Sequence, residues 1–257
     1  MSMRVETKIK QKYLAIIGNI YSIAYDKERR EFDRIVSLWV YYVTRPISIL
    51  ITPFFIWAKI SANQATIIGF LFGLLAFMLS AKGMLLAAAV MYNMFIIVDS
   101  VDGNIARLMQ SSSKEGEYLD AVTGDIVNYF FIPFMGFGIF VNDLNMDSGL
   151  SVRNDYIFIF AMVSSLFYLL SSLIAQRRKH IINTRKEDGP TRLGSNLKPS
   201  IFEYIIRNSF SFAFIAPFSI IFAMFNIMDL FILYNVIISI CITVYTILSG
   251  LRAIKKV

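Results

Sequence analysis

A chain of 257 residues that is 56% hydrophobic and 15% aromatic, with a mean hydropathy of +0.60, falls outside the range of soluble globular domains. Its net charge of +7, in a chain this apolar, points to anionic lipid and an anionic substrate and argues against nucleic acid. The single cysteine, Cys241, stands in an apolar run, which excludes a disulfide framework or a cysteine metal site.

Residues 1–13 carry no apolar core before a small-residue cleavage site, so no cleaved signal peptide is expected. Residues 1–35 mix charge with scattered apolar positions (Ile9, Tyr13, Ile16, Ile17, Ile20) and read as an amphipathic cytoplasmic arm. The next stretch, 36–58, is apolar but holds Arg45, Pro46 and Pro53, which favours a helix along the membrane interface over a spanning one. Six segments are then long and apolar enough to span, at about 65–82, 84–106, 115–141, 155–175, 208–227 and 229–250. The chain therefore reads as an all-α integral membrane protein: arm 1–35, interfacial helix 36–60 and a six-helix membrane domain 61–257. With the amino terminus inside and the helices alternating, Lys82 and Arg153 alone of the 25 basic residues fall on the outer side. Both termini are then cytoplasmic.

The second span runs outward to inward and ends in Asp99-Ser-Val-Asp102-Gly103-Asn-Ile-Ala106-Arg107. Eight residues later comes Gly116-Glu-Tyr-Leu-Asp120. Ionised side chains at the end of an apolar helix are costly unless they bind something. Asp99 and Asp102 are i and i+3, on one helix face. Ser112-Ser-Lys-Glu115 fits a capping box at the start of the following helix, which brings Asp120 to the same depth. Carboxylates at this range repel unless a divalent cation lies between them, and oxygen ligands select Mg²⁺, Mn²⁺ or Ca²⁺. Gly103 and Gly116 allow close backbone approach. Arg107 offers a fork to a phosphate oxygen.

This stretch resembles the signature of the CDP-alcohol phosphatidyltransferase family, D-x2-D-G-x2-A-R-x8-G-x3-D-x3-D. Ile60-Ser-Ala-Asn63-Gln-Ala-Thr66 is similar to the family's P-N-x-x-T segment, with Ala62 where proline is usual. The resemblance implies the six-helix fold, a homodimer, and Mg²⁺ or Mn²⁺ held by Asp99, Asp102 and Asp120. It also implies a CDP-linked donor (CDP-diacylglycerol or a CDP-alcohol), an alcohol acceptor, and release of CMP in phospholipid biosynthesis. Gly103, Ala106, Arg107 and Gly116 would line the nucleotide site, with Asn63 and Thr66 near it. The family's last aspartate, which helps to deprotonate the acceptor, falls on Gly124. Asp125 follows, but it lies about 140° round an ideal helix from Asp120, against about 40° for position 124. Asp120 is the first candidate for catalysis. Asp125 joins it only if the helix is distorted at Gly124, and otherwise packs between helices.

Arg45, Arg177 and Arg178 are candidates for the phosphate of an acceptor. Arg45 could equally snorkel to the headgroups, and Arg177 and Arg178 could simply fix topology. His180, the one histidine, reads as an exposed loop residue. Two other classes compete with the enzyme: a catalytically lapsed relative that binds nucleotide or lipid, favoured by Gly124, and a cation transporter. The transporter needs polar residues through the bundle, and the later helices show few beyond Asp125 and Asn128.

Overall fold

A computed structural model describes residues 11, 13–184 and 212–254, and no strand occurs among them. The helices are α1 (Tyr13–Ala24), α2 (Lys27–Val36), α3 (Val40–Trp57), α4 (Ala62–Ala81), α5 (Leu85–Leu108), α6 (Lys114–Val141), α7 (Asn154–Thr184), α8 (Phe212–Met224) and α9 (Met228–Ile254). The last turn of α1, Ile20–Ala24, and the first of α3, Val40–Thr44, are wound as π-helix.

Local chemistry accounts for the helix ends. Ser61 starts α4 with a complete capping box: its hydroxyl accepts from the Gln64 amide, and the Gln64 side chain accepts from the Ser61 amide. At α6 the N-cap is Ser113, whose Oγ accepts from the Gly116 amide at 3.0 Å. The expected box beginning at Ser112 does not form: the extended backbone falls on Ser113, and the residue three further on is Gly116, which has no side chain to complete a box. Gly83, with φ of +74°, closes the tight turn between α4 and α5.

Helices α4, α5 and α6 form an antiparallel core to which α7, α8 and α9 are added. Tyr92 of α5 stacks on Phe131 of α6 with centroids 3.9 Å apart, and Phe77 of α4 stacks on Phe134 at 4.6 Å. Asn93 ties α5 to α8 by donating to the Ala216 carbonyl at 2.8 Å. Helices α4 and α6 approach closely at backbone level: a β-carbon on Gly138 would lie 1.8 Å from the Ser80 carbonyl oxygen.

Among the described residues six helices are long and apolar enough to cross a membrane, but the set differs from the expected one. It includes Val40–Trp57, the segment assigned from sequence to the interface. The segment expected at 208–227 is described from Phe212 to Met224, a 13-residue apolar helix. Helix α7 runs on to Thr184, so Arg177, Arg178 and His180 are helical; the side chain of His180 lies outside the described set. The loop expected after 175 gives way to helix that is still packed on α9, where a β-carbon on Gly250 would lie 3.5 Å from Arg178 Cδ.

The arm is docked on the bundle. Ile20, Ala24 and Tyr25 are buried with Ile49 of α3, and Leu108 of α5 packs against them. The bundle end that carries Asp102 and Arg107 is therefore roofed by residues from the first part of the chain.

Candidate active site

The last two turns of α5 supply most of the site. Asp102 is 5% exposed, and the Thr66 hydroxyl donates to its Oδ2 at 2.6 Å. This bond joins the first turn of α4 to α5. Arg107 lies across the small surface of Gly103: a β-carbon there would stand 3.0 Å from Nη2 and 3.1 Å from Nη1. Any larger residue at 103 displaces the guanidinium. Arg107 is held by two further bonds, Nε to the Ala24 carbonyl at 2.9 Å and Nη2 to Asn104 Oδ1 at 3.2 Å.

Helix α6 brings the third carboxylate. Asp120 is exposed, and its carboxyl comes within hydrogen-bonding range of that of Asp99, while Asp102 is near enough to act electrostatically on both. Gly116 permits α6 to approach α4, since a β-carbon there would be 2.9 Å from Asn63 Oδ1. Between the three helix ends lies a recess of about 170 Å³. It is lined by Asn63, Thr66, Asp102, Gly103, Ala106, Arg107, Gly116 and Asp120, each a residue singled out from the sequence. Ser111–Ser113 and Glu117 also line it and were not anticipated. Among the described residues no three His, Cys, Asp or Glu side chains are gathered closely enough to hold a metal ion as they stand.

Three expected residues are elsewhere. Helix α6 is regular through Gly124 and Asp125, without the distortion that would turn Asp125 inward; Asp125 is exposed and acts on Tyr129 one turn further along. A β-carbon on Gly124 would meet nothing within 4 Å, so open space stands where a side chain is missing. Arg178 donates to Ser249 of α9 at 3.3 Å, Arg177 is exposed, and neither lines the recess. Arg45, by contrast, is close enough to act electrostatically on both Asp99 and Arg107.

A buried polar chain behind Arg107 escaped the sequence reading. Asn104 donates to Ser48 Oγ at 3.3 Å and to Thr52 Oγ1 at 3.2 Å, with all three side chains fully buried. Its trace in the sequence is a stripe: Arg45, Ser48 and Thr52 stand at i, i+3 and i+7 in an otherwise apolar segment, one face of a helix.

Comparison with known proteins agrees with this layout. Over 79 residues, 31% of this chain, it is 29% identical to the bifunctional IPC transferase and DIPP synthase of Thermococcus kodakarensis. It is 34% identical over 77 residues, 30% of the chain, to the protein of the same description from Archaeoglobus fulgidus. These stretches span 18% and 16% of the two relatives, less than a fifth of their length. The crystal structure of Mycobacterium tuberculosis phosphatidylinositol phosphate synthase, in complex with manganese and citrate, superposes with a TM-score of 0.55 at 16% identity. That match covers 81% of this chain and 88% of the other, and it shows a shared fold. The family model described as CDP-alcohol phosphatidyltransferase matches residues 59–248, from the turn before α4 to the last turns of α9, and the chain belongs to that family.

Proposed function

We propose that the protein transfers a phosphate-linked group from a CDP-linked donor to an alcohol and releases CMP, as a step in phospholipid synthesis. The convergence of Asp102 and Asp120 with Arg107 and Thr66 on a recess at three helix ends, with Asp99 outside its lining but in range of both carboxyls, carries this reading. The donor set is all carboxylate oxygen, which fits Mg²⁺ or Mn²⁺ and no softer metal. Facing carboxyls such as Asp99 and Asp120 are favoured together when a cation lies between them. Bound there by Asp99, Asp102 and Asp120, the cation would supply charge neutralisation on the pyrophosphate and on the leaving phosphate.

The chain's own residues do the rest. Asn63, Gly116 and the backbone beside Gly103 leave room for the nucleotide, and Arg107 presents a guanidinium to a phosphate oxygen. Thr66 orients Asp102. The alcohol oxygen forms a bond to the phosphorus distal to cytidine, the anhydride P–O bond breaks, and CMP departs with the bonding pair. Asp120, exposed on the recess, takes the alcohol's proton. The distribution of lysine and arginine supports a site facing the cytoplasm. Helix α3 bonds and packs with α5 over Val101–Leu108, the turns at one end, which supports its lying along the interface.

The test is CMP release by purified protein from CDP-diacylglycerol with a panel of polar alcohols, and from CDP-alcohols with diacylglycerol. We expect release with Mg²⁺ or Mn²⁺ and none after chelation. Tight CDP binding with no release from any pair would instead mark a lapsed relative. The space at Gly124 adds a second expectation. The β-carbon of Gly124→Asp would meet nothing within 4 Å, and by restoring a carboxylate one turn beyond Asp120 the substitution should raise kcat by about tenfold, a modest share of what a general base contributes. An unchanged kcat would show that proton removal by Asp120 does not limit the reaction.

A further inference from the structure

Arg107 is held from behind by the arm and by α3, both outside the family match at residues 59–248. Its Nε donates to the Ala24 carbonyl at 2.9 Å and its Nη2 to Asn104 Oδ1 at 3.2 Å. Ala24 ends α1, so no amide of its own helix takes that carbonyl. The direction of Asn104 is set by α3. Ser48 Oγ donates its one proton to the Arg45 carbonyl at 2.9 Å, and Thr52 Oγ1 donates to the Ser48 carbonyl at 2.7 Å. Toward Asn104, 3.3 Å and 3.2 Å away, both hydroxyls can therefore only accept. The Asn104 side chain must turn Nδ2 to α3 and Oδ1 to Arg107.

What these bonds prevent is as informative as what they make. The charge of Arg107 acts on Asp102 and on Asp120. A guanidinium beside two carboxylates frequently closes on one of them as a bidentate pair. No such pair forms: among the described residues the ion pairs are Arg45–Asp33 and Arg153–Asp155. Nε and Nη2 make up one edge of the fork, and neutral carbonyl oxygens occupy it. The other edge lies over Gly103, where a β-carbon would stand 3.1 Å from Nη1 and 3.0 Å from Nη2. Gly103 and Arg107 line the same recess as Asp102 and Asp120. Neutral tethers leave the charge of the arginine intact, where an acidic tether would cancel it.

We propose that Ser48, Thr52, Asn104 and the Ala24 carbonyl are positioning groups for Arg107. They hold its guanidinium off Asp102 and Asp120 and aim its free edge at a phosphate of the CDP-linked donor. Without them the guanidinium collapses onto the carboxylates, and cation and donor lose their places together. That the anion is the donor's pyrophosphate rests on the transferase reading; the separation of Arg107 from the carboxylates does not.

The test uses the full chain in phosphatidylcholine nanodiscs and reads by calorimetry Mn²⁺ affinity without nucleotide, then CDP affinity with Mn²⁺. Thr52→Val keeps the shape and removes an acceptor, whereas Thr52→Ser keeps the hydroxyl and removes a methyl. Positioning predicts that Thr52→Val weakens CDP binding and Thr52→Ser leaves it unchanged; packing alone predicts the reverse. Ser48→Ala with Thr52→Val should weaken Mn²⁺ and CDP binding each by about tenfold, the factor for one lost hydrogen bond to a charged group. Adding Arg107→Gln to that double variant should restore Mn²⁺ affinity, because no guanidinium remains to occupy the carboxylates, while CDP affinity stays low. A bundle that was merely destabilised would not recover metal on losing a further side chain. Equal CDP affinity in Thr52→Val and Thr52→Ser, or no recovery of Mn²⁺ binding with Arg107→Gln, overturns the proposal. Affinities that move as expected, with no CMP released from any donor, retire the transferase reading and keep the tether. CMP release with both affinities unmoved by the double variant does the reverse.

Discussion

Replacing Asp102 with asparagine is expected to lower CMP release by about a thousandfold while the bundle stays folded, a loss in the range found when one electrostatic contact to a transferring group is removed. The side chain is 5% exposed and accepts the Thr66 hydroxyl at 2.6 Å. Asparagine has the same shape and its carbonyl oxygen can accept that same bond, so packing and the α4–α5 tie survive. What disappears is one negative charge where the cation and pyrophosphate are expected. Asp99→Asn should lose activity in parallel and gain stability without metal, because it removes one of two carboxylates that face each other, Asp99 and Asp120. CMP release and thermal melting, with and without Mn²⁺, read out both effects. Wild-type turnover in Asp102→Asn would overturn the assignment of the site.

The largest structural effect is expected at Gly138, on the far half of α6. An added β-carbon would lie 1.8 Å from the Ser80 carbonyl oxygen and 2.8 Å from its carbon, and backbone on a packed helix cannot rotate away as a side chain can. Helices α4 and α6 must then separate, which loosens the Phe77–Phe134 stack. Gly138→Ala should therefore destabilise by about 3 kcal/mol, the upper end of overpacking costs. Gly124→Ala on the same helix meets nothing within 4 Å. It should stabilise by about 0.5–1 kcal/mol through helix propensity alone. Thermal melts of the two variants in one detergent measure the contrast, and equal melting temperatures would refute the close α4–α6 approach. Because α4 carries Thr66 and α6 carries Asp120, the Gly138 variant should also lose activity.

Some of this was legible in the residues alone and some was not, and the division follows the range of the forces. Asp99 and Asp102 share a face because a helix places i and i+3 together whatever surrounds it. Asp120 joins them because the turn of Met109–Ser113 is short. The roles of Gly103 and Gly116 also followed from type and spacing, and the structure names what each admits: the Arg107 guanidinium and Asn63. Asp125 shows the limit. Sequence left its facing dependent on a distortion at Gly124, and the regular course of α6 turns it away from the recess.

By itself, then, the sequence determined the membrane class, the order of apolar helices and the set of residues at one end of α4, α5 and α6. These depend on hydropathy and helical period, which act within a segment. Tertiary structure alone decided that the arm packs on the site, that Arg107 reaches the Ala24 carbonyl 83 residues away, and that Arg45 pairs with Asp33 while keeping a buried nitrogen with no partner among the described residues. Those contacts join segments with no shared period, and burial and charge select them only when the helices are packed together.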